Sequence, residues 1–174
     1  EPALEFQPSS NTTAPNIGTN MGINFIDPNT LASTISGGGQ SGFPQWIGKA
    51  FAGESGTYGA NPASYAVIGG AYDNICNQIA GTISGGAHHK LDCGYTNISG
   101  NHGTIGGGST NRIKDGAYCT IAGGGGAVSP NLIDGTLTAH PDGATIGGGR
   151  SNTLTTCADG VIGGVTVIQL QLPV

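Results

Sequence analysis

The residues with the most evident chemical potential in this chain are three histidines. His88 and His89 stand in "AHHK", and His102 follows roughly one repeat further along. That spacing places them near one another on adjacent turns of the repeat, where imidazoles serve as ligands for divalent metals. In a symmetric assembly, any of them facing the axis would be repeated and could hold an ion. The plainer expectation makes them polar corner residues on the surface. We adopt it, and no metal ligand is assigned.

Acid–base catalysis and glycoside hydrolysis need carboxylates held as a pair. Most of the ten Asp and Glu residues sit beside Gly or Asn ("YDN", "KDG", "IDG", "PDG", "ADG"). There Asp is a turn residue, because its side chain bonds its own backbone. No pair stands out, and neither a GxSxG elbow nor the GGxGxD repeat of calcium-binding rolls is present. Glycine runs such as "GTIGGGSTNRI" at 103–113 invite a phosphate. They lack the GK[ST] of a phosphate loop, since Gly48-Lys49 is followed by Ala50. No helix pattern follows them either, so no helix N-terminus is offered to an anion. The expectation is a non-enzymatic protein with no catalytic residue, no cofactor and no metal.

Cys76, Cys93, Cys119 and Cys157 are far apart and unevenly spaced, with no CxxC. The zinc-ribbon reading fails on that spacing. Small buried thiols are expected, with one or two disulfides as the alternative.

Composition narrows the classes further. Gly accounts for 34 of 174 residues and charged residues for 9%, with a net charge of −5 and a pI near 5.0. Five Lys and Arg are too few and too scattered to track a nucleic-acid backbone. No apolar run approaches the ~20 residues of a membrane helix. The opening "EPALEFQPSS" has no initiator Met and no signal pattern, which suggests a processed chain or a piece of a longer one.

The glycine is patterned, and the pattern is a repeat. Ile68, Ile83, Ile105, Ile121, Ile146 and Ile162 each precede a Gly- or Ser/Ala-Gly run. Ile75, Leu91, Ile98, Ile113 and Leu154 fall between or after them. Successive members are seven or eight positions apart from Ile68 to Ile121, and eight apart from Ile146 through Leu154 to Ile162. The intervening Gly, Ser, Asn and Thr are poor helix formers, so the heptad-like spacing is not a coiled coil. Short strands joined by tight Gly/Asn corners satisfy it instead. The expected fold is all-β: a β-solenoid with two strands per coil of about 15 residues, these eleven residues forming its core. One inward residue per strand makes a thin core, which predicts a homotrimer to supply the missing burial.

Four regions are expected. Residues 1–34, with four prolines and no ladder, read as an extended anchoring arm. Residues 35–65 hold the aromatics Phe43, Trp46, Phe51, Tyr58 and Tyr65 and read as a cap. The solenoid spans 66–165, interrupted by an outward loop at 124–143, and a closing strand occupies 166–174. Expected partner contacts are Phe6 and Phe25 on the arm, Trp46 on the cap and His140 on the loop.

The "ATIGGG" and "TISGGG" repeats resemble the Gly-rich repeats of trimeric bacteriophage tail-spike and tail-fibre proteins. More distantly they resemble the β-roll heads of trimeric autotransporter adhesins. The resemblance covers residues 66–165 and, less closely, 33–42. It implies a rigid symmetric shaft or knob on a virion or cell surface, and it carries over no catalytic residue. The function it suggests is host attachment by a trimeric virion projection, anchored to other virion proteins through its arm and able to meet a host glycan or receptor. A capsid-decorating trimer, a polysaccharide-degrading spike and a bacterial surface adhesin are the alternatives.

Overall fold

The computed structural model describes residues 4–7, 14–48, 63–92, 102–135, 141–156, 158–166 and 169–171. Every regular element among them is a strand of two or three residues, and none is a helix. The protein is all-β.

The strands form a nine-stranded, an eight-stranded and a two-stranded sheet. The first runs Glu5–Gln7, Asn16–Gly18, Thr34–Ile35, Val67–Ile68, Thr82–Ile83, Thr104–Ile105, Thr120–Ile121, Thr145–Ile146 and Val161–Ile162. The second runs Phe25–Ile26, Trp46–Ile47, Ile75–Cys76, Lys90–Asp92, Arg112–Lys114, Leu132–Asp134, Thr153–Thr155 and Gln169–Gln171. The third pairs Gly149–Arg150 with Val165–Thr166. The chain passes from the first sheet to the second and back, each passage adding one rung. The pairing is parallel throughout except where Glu5–Gln7 lies antiparallel on Asn16–Gly18.

Residue chemistry accounts for this. Neighbouring strand residues point to opposite faces, so in each Thr-Ile or Val-Ile pair the isoleucine faces inward and its neighbour outward. Ile35, Ile68, Ile83, Ile105, Ile121, Ile146 and Ile162 stack in register as one column. Ile26, Ile47, Cys76, Leu91, Ile113, Ile133 and Leu154 form the facing column. All are buried. Each large one contributes about 1.5–3 kcal/mol by leaving water.

Three details depart from the expected ladder. Ile75 is only half-buried, and its neighbour Cys76 takes the inward place. The phase of this strand follows Asn74, with the core residue two positions after the asparagine rather than one. Second, the interval 124–143 is not one outward loop. Leu132–Asp134 lies within it as a strand, with Ile133 fully buried between Ile113 and Leu154. Third, Ile98 lies outside the described residues, and Ile105 pairs directly with Ile83 while Ile113 pairs with Leu91. The ladder also starts earlier than expected. Ile26, Ile35 and Ile47, on stretches assigned to the arm and the cap, are fully buried in the same two columns.

The two faces of the second sheet give a direct test. Ile113→Ala is expected to lower the unfolding free energy by about 2–5 kcal/mol through loss of burial and a residual cavity. Ile75→Ala is expected to cost about 1 kcal/mol or less. Urea denaturation of both variants checks the assignment, and a larger loss for Ile75 would contradict it.

Candidate functional site

Two positions before each core residue of the second sheet stands a buried polar side chain. These are Asn24, Gln45, Asn74, His89, Asn111, Asn131 and Asn152. Each sits at a corner, where the backbone N–H has left the regular strand pairing and still needs an acceptor. The Asn24 N–H donates to the Asn20 carbonyl, and from Gln45 onward the side chain of the preceding rung supplies the acceptor. Gln45 N–H donates to Asn24 Oδ1 at 3.0 Å, Asn74 N–H to Gln45 Oε1 at 3.0 Å and His89 N–H to Asn74 Oδ1 at 3.0 Å. The series continues with Asn111 N–H to His89 Nδ1 at 3.2 Å, Asn131 N–H to Asn111 Oδ1 at 3.3 Å and Asn152 N–H to Asn131 Oδ1 at 3.2 Å.

The amide Nδ2 groups finish the work. Asn74 donates to the carbonyls of Gly70 and Gly86, Asn111 to Gly107 and Gly124, and Asn131 to Gly123 and Gly149. One carboxamide therefore ties its own glycine corner to the corner of a neighbouring rung. Gly108 and Gly124 have φ near +91° and +77°, and a Cβ on either would strike the next rung's glycine backbone. Only glycine permits that approach.

His89 is the one ionisable member of this polar ladder. The sequence predicts a surface corner residue here, and the structure corrects that: His89 is fully buried. To accept from Asn111 N–H, Nδ1 must keep its lone pair, so the ring is neutral. Burial pushes its pKa down from 6.5 to about 4, partly offset by the Gly108 and Asn111 backbone. The folded state thus takes up a proton less readily than the unfolded chain. The stabilisation is complete above pH 6.5 and is lost progressively as the pH falls towards 4. We expect stability to fall by about 2 kcal/mol between pH 7 and pH 5 from this group. His89→Asn, which restores a carboxamide, is expected to flatten that slope in urea midpoints measured across pH. An unchanged slope would show that His89 is not its source.

The turns into the first sheet share one feature, and so do four of those into the second. Three positions before the core residue the backbone adopts a left-handed conformation. On the way into the second sheet this holds at Asp73, His88, Thr110 and Ser151, with φ between 53° and 58°. On the way into the first it holds at Ala32, Tyr65, Ala80, His102, Tyr118, Gly143 and Asp159. Several of these side chains meet one another outside the stack. His88 Nδ1 lies 2.7 Å from Asp73 Oδ2 and meets Phe43 and Tyr72 edge-on, with ring centroids 5.9 and 5.3 Å away. His102 lies flat on Tyr118, with centroids 4.9 Å apart and planes 4° apart. The three histidines considered as ligands are thus divided among a surface cluster, the buried ladder and the opposite corner. No group of three metal-ligating side chains occurs among the described residues.

The expected partner contacts are placed separately. Phe6 is exposed on the Glu5–Gln7 strand, while Phe25 packs against Trp46 at 5.0 Å between centroids. His140 lies outside the described residues. Cys76 and Cys119 are buried free thiols, pushed up to about 12 and about 11 by burial, too high for reactivity. Cys93 and Cys157 lie outside the described residues. The basic side chains of the second sheet are matched to its acids. Lys90 and Arg112 lie 2.9 and 2.8 Å from the buried Asp92, and Lys114 lies 3.3 Å from Asp134. Paired in this way, these carboxylates hold the sheet's outer face together.

No family model, curated protein or solved structure matches this chain.

Proposed function

We propose that the chain is a non-enzymatic structural component of a bacteriophage virion, a rigid trimeric β-solenoid of tail-spike or tail-fibre type serving host attachment at the particle surface. The unbroken register of the two core columns, tied rung to rung by the polar ladder, carries this reading. Such a chain is stiff along its length and presents the same outer positions at every rung. Each coil comprises one strand of each sheet, and its shortest form runs from Ile68 to Ile83 on one column and from Cys76 to Leu91 on the other.

The trimer is supported by glycines that their own chain does not explain. At Gly37, Gly70, Gly85 and Gly107 no positive φ is required, and nothing lies within 4 Å of where a Cβ would stand. With the outward Thr34, Thr82, Thr104, Thr120 and Thr145 they make an uncharged strip that lets another backbone approach closely. In this reading other copies occupy it, and the N-terminal segment contacts further virion proteins.

Light scattering is expected to give three times the 17.2 kDa chain mass. Gly107→Gln, for which the chain itself has room, is expected to dissociate the trimer without unfolding it. A native chain that runs as a monomer overturns the trimer. Antibody labelling of particles carrying the chain is expected to mark the tail. Label at the three-fold axes of the shell would favour capsid decoration, and absence of label from particles would overturn the virion role.

A further inference from the structure

The corner column that enters the first sheet contains Tyr65, His102 and Tyr118 beside Ala32, Ala80, Gly143 and Asp159. Backbone hydrogen bonds run along it. Tyr65 N–H donates to Leu31, Ala80 N–H to Ser64, His102 N–H to Ile79, Gly143 N–H to Ala117 and Asp159 N–H to Asp142. The same turn is built with glycine, alanine or aspartate at other rungs, so folding does not call for rings here.

The rings in fact work against the local backbone. Their φ values are 60°, 60° and 55°, a region that disfavours any residue with a Cβ. Nor do they contribute to the core, since Tyr65 is 57% and Tyr118 67% exposed. Exposed rings at turn positions that small residues fill at other rungs mark candidate functional positions.

From this column we infer a carbohydrate-binding strip, in which a neutral pyranose residue of a glycan seats over Ala80 between Tyr65 and the stacked His102–Tyr118 pair. Ala80 is the one small member between the rings. Two rung spacings, about 10 Å, separate the Tyr65 and His102 positions. Ile79, 36% exposed, adds an apolar edge beside Ala80. Aromatic rings receive the C–H face of a saturated sugar ring, while the tyrosine hydroxyls and the imidazole can bond its hydroxyls.

Charge narrows the class. The column and the residues just before it include Asp142 and Asp159 but no Lys or Arg. That disfavours polyanions such as nucleic acids, sialylated glycans and uronic-acid polymers. A peptide added as a strand is disfavoured as well, because the corner N–H groups of Ala32, Tyr65, Ala80, His102, Gly143 and Asp159 are already paired. The ladder holds the platform rigid before binding, which limits the ordering cost.

This inference rests on the host-attachment reading, but it is tested separately from it. The full chain is run by affinity electrophoresis through neutral dextran, mannan and galactan and through anionic hyaluronan. Retardation by at least one neutral polymer is expected. Tyr118→Gly and Tyr65→Gly are expected to weaken it at least about tenfold while leaving thermal stability equal or higher, since glycine relieves the left-handed strain. Tyr118→Phe is expected to retain most of the binding. The inference is overturned if no neutral polymer retards the chain, if only hyaluronan does, or if the glycine variants bind undiminished. It is also overturned if those variants change the oligomeric mass, which would assign the rings to contacts between copies. A chain that labels tails but binds no saccharide defeats this inference alone. Binding by a chain absent from particles defeats only the virion role.

Discussion

One hydrogen bond sets the terms for the rest of the molecule: a buried carboxamide oxygen accepting the corner N–H of the next rung. Strands of two or three residues make too few ladder bonds to fix their own register. At the corners the backbone turns away and would strand a buried donor at every rung. Asn24, Asn74, Asn111 and Asn131 remove that cost, and they do so repeatedly along the stack. Losing one would leave a buried N–H without its acceptor and remove two further bonds to corner carbonyls, at about 1–3 kcal/mol for the stranded donor. The two apolar columns supply burial, but burial is non-directional, and the ladder supplies alignment.

The glycines follow from this arrangement and are of two kinds. Gly108 and Gly124 stand where the backbone is left-handed and the next rung touches it, so their conformation explains them completely. Gly70 and Gly107 have open space around them and need no unusual φ. The first kind belongs to the fold. The second lies where the chain itself leaves open space. The corner residues also divide: Ala80 and Gly143 fill the turn with little side chain, while Tyr65 and Tyr118 hold exposed rings in the same conformation.

Much of the architecture is legible in the sequence because it is periodic. The Thr-Ile pairs announce the first column, and a repeat too rich in Gly and Asn for helix announces strands. The second column is harder to read. Its signal is an asparagine followed two residues later by the core residue, as in Asn111-Arg112-Ile113 and Asn152-Thr153-Leu154. In "DNIC" an isoleucine in the wrong phase conceals Cys76, and insertions on either side of Asn131-Leu132-Ile133 conceal Ile133. Gln45 and His89 fill asparagine positions without looking like asparagine. Each offers an acceptor to the next N–H, but neither shares a residue type that a sequence pattern detects.

By itself, the sequence determined the strand class, the inward face of the first sheet and the absence of helix among the described residues. These depend on local preference and alternation, which every short segment carries within it. Tertiary structure alone decided which polar residues are buried and where the corner side chains meet. His88 and His89 are adjacent in sequence, yet one faces Asp73 at the surface and the other is sealed in the ladder. His102 and Tyr118 stack only because Thr104–Ile105 and Thr120–Ile121 pair in register. Such placements are set by cross-rung pairing between segments far apart in the chain. No local preference encodes them.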